Sequence, residues 1–144
     1  MIIDEQADFR SLLMHHVTTH WPDATITAYD PTSAGHLPDE FSGAGNDIIL
    51  LGSRHGEDRE GVDVLRRFMR RDRFPPVVYF GTPEDREEAS AQRPDAYFDR
   101  GRFHHNALVT SLREVLETRR RAATPTPLFS GKEQGAQPLI KGYR

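Results

Sequence analysis

The sequence predicts an α/β domain in which a parallel β-sheet carries helices on both faces. Short, wholly apolar runs at residues 48–51 and 77–80 are typical of strands that are covered on both sides. The segments between such runs place apolar residues at helical spacing. Strand and helix alternate five times, which favours parallel strands joined by helical crossovers.

The first half of the chain contains two predicted strands and one clear helix. Residues 1–3 form a short strand, and the helix that follows has Asp8 as its N-cap and ends before Pro22. Residues 24–29 alternate around two threonines and indicate a half-buried strand. Prolines and glycines between residues 31 and 45 leave room for only a short or broken helix.

The second half continues the alternation after a strand at residues 47–51 and a loop at residues 52–60. Two prolines before residue 77 end one helix and introduce the next buried strand. The predicted elements are, in order, a helix carrying Val62, Leu65, Phe68 and Met69, a strand at 77–80, a helix at 84–91, a strand at 96–98 and a helix at 106–121.

Composition narrows the class of protein. The 144 residues carry 19 basic and 22 acidic side chains, a net charge of −3 that argues against binding to nucleic acid or to a membrane surface. The absence of cysteine excludes disulfides and thiolate chemistry and fits a reducing, cytoplasmic location. Lysine occurs only in the proline- and glycine-containing end, so we predict one domain over residues 1–121 and a linker or tail over 122–144.

The predicted sheet also locates a site. Ligands of open parallel sheets bind beyond the carboxyl ends of the strands. The residues expected there are Asp4, Glu5, Gly52, Gly81, Thr82, Asp99 and Arg100.

Five segments around these positions resemble the receiver domains of two-component response regulators, the family of the chemotaxis response regulator. The segments are IIDEQADFR (2–10), DIILLG (47–52), GVDVL (61–65), PVVYFG (76–81) and DAYFDR (95–100). Their order and spacing carry the resemblance over about residues 1–121. It implies a flavodoxin-like, doubly wound sheet of five parallel strands in the order 2-1-3-4-5.

The resemblance also implies a chemistry. In this family two acids after the first strand and one after the third hold Mg²⁺, and the third acid accepts a phosphoryl group. A Thr or Ser after the fourth strand and a Lys after the fifth bind the phosphoryl oxygens. In this chain Asp4 and Glu5 match the acidic pair, and Gly52 stands at the phospho-acceptor position. Gly81, followed by Thr82, stands at the Thr or Ser position. Arg100 stands at the Lys position, and Tyr97 stands at the position of the family's switch aromatic.

A glycine has no side chain to phosphorylate, so the resemblance implies a degenerate receiver, or pseudo-receiver. We expect Asp4 and Glu5 to form a vestigial acidic pocket that binds Mg²⁺ weakly at most. Arg100 is expected to pair with one of these two acids in place of the metal. Ser53 is expected to point away from the site if the alternation of the strand continues past Gly52.

The function implied is a signal-transduction module that acts through protein contacts on a fused or partner output domain, and not an enzyme. We also expect a weak homodimer through the fourth helix, the fifth strand and the fifth helix. The alternative function is a flavodoxin-like sensor of a small ligand, or an enzyme, that uses the acidic pocket at Asp4 and Glu5.

The end of the chain suggests what the output domain is. Residues 139–144, LIKGYR, resemble the lead-in to the first strand of bacterial serine/threonine kinases, which predicts a kinase domain after this one. A tail that docks on its own domain and a cloning boundary are the alternatives.

Histidines and arginines outside this site are expected to be structural. His16 and His20 have a spacing that can bind metal on a helix, but they are expected to lie at the core edge and at the surface, and His104 and His105 to begin the last helix. The arginines between residues 66 and 73 are expected to cover a solvated helix face.

Overall fold

The sheet has the predicted architecture. The computed structural model describes residues 1–56 and 61–123. Its strands are β1 (Ile2–Ile3), β2 (Ala28–Tyr29), β3 (Ile49–Gly52), β4 (Val77–Gly81) and β5 (Ala96–Asp99), and its helices are α1 (Ala7–His20), α2 (Pro31–Ala34), α3 (Gly61–Met69), α4 (Arg86–Ala91) and α5 (His105–Ala123). All strand pairs are parallel, in the order β2-β1-β3-β4-β5.

Alternate strand residues enter two cores on opposite faces of the sheet. On the face of α1 and α5, Leu50 and Phe80 pack with Leu13 and Leu108. On the face of α3, Leu51 and its neighbours in the central strands pack with Phe68. Burial of one such side chain stabilises the fold by about 1.5–3 kcal/mol, so both faces contribute to stability.

β2 is shorter than the strand predicted at residues 24–29. It can pair only with β1, which has two residues, and the register joins Ile2 to Ala28 and Ile3 to Tyr29. The amide of Ile2 still donates to the carbonyl of Thr27, at 2.8 Å. The preceding residues therefore have no further ladder to join, and the alternation predicted there is not a strand.

The N-termini of two helices also differ from the prediction. Gln6, not Asp8, is the N-cap of α1, and Asp8 lies in the first turn, where its charge complements the helix dipole. α4 begins at Arg86, so Glu84 and Asp85 precede it. The carboxylate of Asp85 accepts hydrogen bonds from the amide of Thr82 and the hydroxyl of Tyr79, which hold this segment in a turn.

The last helix is longer than predicted, since α5 runs from His105 to Ala123. The linker predicted from residue 122 and the kinase-like segment at residues 139–144 lie outside the described residues, apart from the last two helical positions. Among the helices that the structure describes, none is both long enough and apolar enough to span a membrane.

Candidate functional site

The carboxyl ends of the strands bring Asp4, Gly52 and Arg100 together, as the sheet predicts. Asp4 follows β1, Gly52 ends β3 and Arg100 follows β5. The amide of Arg100 donates to the carbonyl of Gly81 at the end of β4, at 2.8 Å. This bond extends the β4–β5 pairing and directs the Arg100 side chain across the sheet edge toward β1.

Asp4 is a buried carboxylate whose two oxygens accept four hydrogen bonds. Its Oδ1 accepts from the amide of Gln6 at 2.8 Å and from Arg100 Nη2 at 3.1 Å. Its Oδ2 accepts from Arg100 Nη1 at 2.8 Å and from the amide of Arg54 at 3.2 Å. Asp4 is 0% exposed, so its charge is balanced by the guanidinium and by two backbone dipoles instead of by water.

The Arg100 guanidinium joins three loops. Besides its bidentate pair with Asp4, it donates to Ser53 Oγ at 3.0 Å and to Gln6 Oε1 at 2.6 Å. The central carbon of the guanidinium, Arg100 Cζ, lies 4.1 Å from the centre of the Phe9 ring, which is within cation–π range. The side chain is 10% exposed, and it ties the segments after β1, β3 and β5 to one another.

Gly52 is required by this arrangement. A Cβ at position 52 would overlap the Asp4 carboxylate, with Asp4 Cγ only 2.6 Å away. The Asp4 carboxylate thus lies in the space that a side chain at the end of β3 would enter. Any larger residue there must displace Asp4 and with it the contact to Arg100.

The β3–α3 segment is fixed by a buried histidine and by Glu5. His55 is 2% exposed, and its Nε2 lies 2.8 Å from the carbonyl oxygen of Gly52. A carbonyl only accepts, so Nε2 carries the proton. Burial lowers the pKa of His55 and outweighs the hydrogen bond to Gly52, which acts in the opposite direction. The ring is therefore neutral at pH 7. Glu5 Oε1 accepts from the amide of Gly56 at 3.3 Å, on the other side of the same segment.

A second hydrogen-bonded group lies at the β4–α4 turn. Tyr79 donates its hydroxyl to Asp85 Oδ2 at 2.7 Å, and the amide of Thr82 donates to Asp85 Oδ1 at 2.9 Å. The hydroxyl of Tyr97 donates to the carbonyl of Thr82 at 3.0 Å. A Cβ at Gly81 would lie 2.5–2.8 Å from Asp85, Tyr79 and Tyr97, so this position too is closed to a side chain.

The structure differs from the sequence-based expectation at Ser53. Its hydroxyl contacts Arg100 and lies at the site, whereas strand alternation predicted that it points away. The reason is that β3 ends at Gly52, so the alternation does not continue. Arg100 does pair with Asp4, as expected. His55 and Asp85 were not predicted, because a single polar residue in a loop carries no periodic signal.

The residues around Asp4 do not fit a magnesium ion. Mg²⁺ needs free carboxylate oxygens in octahedral geometry. Both oxygens of Asp4 are already used by four N–H donors, and Gly52 supplies no oxygen from a side chain. The guanidinium of Arg100 brings a positive charge to the same carboxylate, which would repel a cation.

The other candidate residues do not assemble into a site. His16 contacts His105, whereas His20 contacts Trp21 and Arg113, so the two helical histidines have different partners. Residues 1–56 and 61–123 hold no group of three or more metal-ligating side chains. Arg66 on α3 pairs with Asp63 and with Glu88 on α4.

Comparison with known proteins identifies the fold. No protein-family model matches the sequence, and no curated protein does. Solved structures do match. A CheY-like response regulator receiver domain protein from Methanospirillum hungatei JF-1 is 12% identical and has a TM-score of 0.66, with 85% of this chain and 95% of that chain covered.

Two further solved structures have the same fold as this chain. The signal receiver domain of a DNA-binding response regulator from Colwellia psychrerythraea 34H is 17% identical, with a TM-score of 0.64 over 81% of this chain and 95% of that chain. The N-terminal domain of a response regulator/sensory box/GGDEF 3-domain protein from Carboxydothermus hydrogenoformans is 16% identical, with a TM-score of 0.60 over 85% and 97%. The chain therefore has the flavodoxin-like fold of response regulator receiver domains.

Proposed function

We propose that this domain is a receiver-like regulatory module that works without phosphorylation of an aspartate. The observation that carries the proposal is the Asp4–Arg100 ion pair, which lies where a side chain at position 52 would be. Gly52 is then a degenerate phospho-acceptor position, Asp4 and Glu5 a vestigial acidic pocket, and Arg100 the replacement for the family's lysine. The guanidinium supplies the positive charge that a metal ion would bring.

The remaining switch positions support a fixed state. Gly81 and Thr82 stand where the resemblance expects a phosphoryl-binding hydroxyl. The Thr82 amide donates to Asp85 in the turn, and the Thr82 carbonyl accepts from the hydroxyl of Tyr97 on β5. Tyr97, at the switch aromatic position, is held through its hydroxyl and lies under the guanidinium of Arg86, 5.2 Å from the ring centre. Contacts of this kind fix the loops that a phosphoryl group would otherwise reposition.

The output is a protein contact, with a fused domain as its first candidate. The similar domain from Carboxydothermus hydrogenoformans is the N-terminal part of a three-domain protein, which favours this arrangement. A serine/threonine kinase as the fused domain rests on residues 139–144, outside the described residues. Reading the encoded protein past Arg144 tests it, because a continuation without a glycine-rich strand–loop–strand would contradict a kinase.

The alternative function, a small-ligand sensor or enzyme at Asp4 and Glu5, has less support. Asp4 is fully buried, and a ligand would have to displace Arg100 to reach it. Displacement would leave a buried carboxylate without its partner, at a cost of about 3–5 kcal/mol.

Incubation with acetyl phosphate and Mg²⁺, followed by intact-mass measurement, tests the proposed function. We expect no phosphoryl adduct on the full chain, under conditions that phosphorylate a receiver domain with an acceptor aspartate assayed beside it. Stoichiometric incorporation at any residue of the site would overturn the proposal.

A further inference from the structure

Two histidine contacts join α1 to α5. His16 Nδ1 and His105 Nδ1 are 2.7 Å apart, which is hydrogen-bond distance. A bond between two ring nitrogens needs one N–H and one lone pair, so one of the two nitrogens is unprotonated. The bond cannot form when both rings are cationic.

The second contact has the same requirement. Arg113 on α5 donates from Nη2 to His20 Nε2, at 3.2 Å. A guanidinium has no lone pair to offer, so the His20 nitrogen must be the acceptor and must lack a proton. His16 and His20 are one turn apart on α1, so the two contacts lie side by side along this helix pair.

The side chains that contact these rings are basic or aromatic. The groups that act on His16 are His15 from α1 and His105 from α5, and the Phe103 ring lies 5.5 Å away at the β5–α5 connection. At His20 they are the Trp21 ring, 4.5 Å away, and Arg113. The pKa of His16 is lowered, first by burial and then by the neighbouring His105 and His15. None of these contacts includes a carboxylate that would balance a new positive charge.

A chain of aromatic rings links this helix pair to the candidate site. Phe103 lies 5.5 Å from Phe80 and 6.4 Å from Phe9, measured between ring centres. Phe9 in turn lies under the guanidinium of Arg100. The segment that joins β5 to α5 begins with Arg100 and leads into His105, the first residue of α5.

We propose that His16, His105 and His20 form a pH-sensitive clasp between α1 and α5. The clasp is closed while the acceptor nitrogens are unprotonated. A proton on His20 Nε2 removes the acceptor for Arg113 and places two cations together. The His16–His105 bond breaks when both rings are cationic, and loss of the two contacts releases the segment that holds Arg100. The proposal does not rest on the proposed function, since it requires nothing of Gly52.

The sign of the effect follows from linkage. A histidine whose pKa is lowered by folding binds its proton more weakly in the folded state, so the unfolded state gains stability as the pH falls. The contribution of His16 is complete above the ordinary histidine value of about 6.5 and is lost as the pH falls below it.

Long-range ¹⁵N–¹H spectra of the full chain test the clasp directly. At about pH 7.5 we expect His16 and His105 in opposite tautomers, one protonated at Nδ1 and the other at Nε2. Between about pH 7.5 and 5, exchange of the hydrogen-bonded amides of α5 from Leu108 onward should rise about tenfold after correction for the intrinsic rate. The same tautomer in both rings, or exchange that does not respond to pH, would overturn the clasp.

A matched pair of variants separates the clasp from other titrating groups. His105→Phe keeps a ring against His16 and removes the shared proton, so the pH response of α5 should flatten. His104→Phe changes the exposed neighbour just before the helix and should leave the response as in the original chain. An equal response in both variants would contradict the proposal, and if His105→Phe does not fold, the tautomers of the unaltered chain still decide it.

Discussion

At the scale of single residues, the end of β3 carries no side chain, and the carboxylate of Asp4 lies in the free space. The carboxylate stays there because Arg100 and two amides use both of its oxygens. A carboxylate at position 52 would meet a carboxylate already present, and like charges at this distance disfavour each other strongly. Gly52 and Arg100 are therefore two parts of one arrangement.

Replacement of Gly52 by aspartate should not create a phosphorylation site. We expect Gly52→Asp to take up no phosphoryl group from acetyl phosphate and Mg²⁺, and to unfold more easily than the original chain. Gly52→Ala, which adds the overlapping Cβ alone, should lower the free energy of unfolding by about 1–3 kcal/mol. Denaturant titration measures the cost, and Gly101→Ala is the control because its Cβ would lie 3.6 Å from the nearest atom, Asp99 Oδ1. Efficient phosphorylation of Gly52→Asp would contradict this account of the site.

Removal of the guanidinium should destabilise the domain through the charge that it leaves behind. Arg100→Met keeps an unbranched stem over Phe9 but leaves Asp4 buried without its partner, which costs about 3–5 kcal/mol. In the double variant Asp4→Asn/Arg100→Met the loss should be smaller than the sum of the two single losses. Additive losses in urea unfolding would show that the pair has no coupling.

Part of this site could be predicted from the sequence. Asp4 and Arg100 each follow an apolar strand, and the sheet places strand ends together, so their pairing could be predicted. Ser53 and His55 could not, because their positions depend on where β3 ends and on how one loop folds back. Periodicity contains no information about either.

At the scale of elements, the β4–α4 turn is held by Asp85. The carboxylate joins the Tyr79 hydroxyl on β4 to the Thr82 amide in the turn, and Tyr97 on β5 closes the group. The start of α4 was predicted two residues early because acidic residues are typical of a first helical turn. The side-chain bonds of Asp85 determine the true start, and the order of residue types does not reveal them.

Tyr79 should make the fold sensitive to alkaline pH. The pKa of the Tyr79 hydroxyl is raised well above its usual value, first by burial and then by the hydrogen bond to Asp85. Its stabilising contribution is therefore complete below about pH 10 and is lost as the pH rises above that value, where the unfolded chain ionises.

Unfolding by urea between pH 8 and 11 measures this effect. Tyr79→Phe should lose about 0.5–1.5 kcal/mol near neutral pH and show a flatter decline above about pH 10. Tyr29→Phe is the control, since the Tyr29 hydroxyl donates to the Gly35 carbonyl at the surface. A decline that is unchanged in Tyr79→Phe would mean that other groups cause it.

At the scale of the whole molecule, the two-sided core explains why the architecture could be predicted while the association state could not. Buried strands of a parallel sheet are apolar on both faces, and that pattern is visible in the sequence. An interface between copies depends on which surface charges remain available. Several charged side chains of α4 and α5 have partners within the chain: Glu88 pairs with Arg66, Arg119 with Asp95 and Arg121 with Glu117.

The homodimer through α4, β5 and α5 therefore remains a prediction of weak association. Sedimentation at low salt should show a concentration-dependent dimer that loosens as salt is added, because screening weakens exposed charge pairs. Glu87→Lys, at an exposed position of α4, should weaken it further. A strict monomer at high concentration and low salt would remove the dimer without affecting the site.

We propose above all that the Asp4–Arg100 pair closes this receiver-like site to metal and phosphoryl groups. The most direct test is a ¹H–¹⁵N titration of the full chain with Mg²⁺ and then beryllofluoride, a mimic of a bound phosphoryl group, following the amides of Asp4, Glu5 and Thr82. The account predicts no saturable shift at these three amides with either addition. Saturable shifts centred on them would contradict it, because they would show an open site that still binds the ligands of a working receiver.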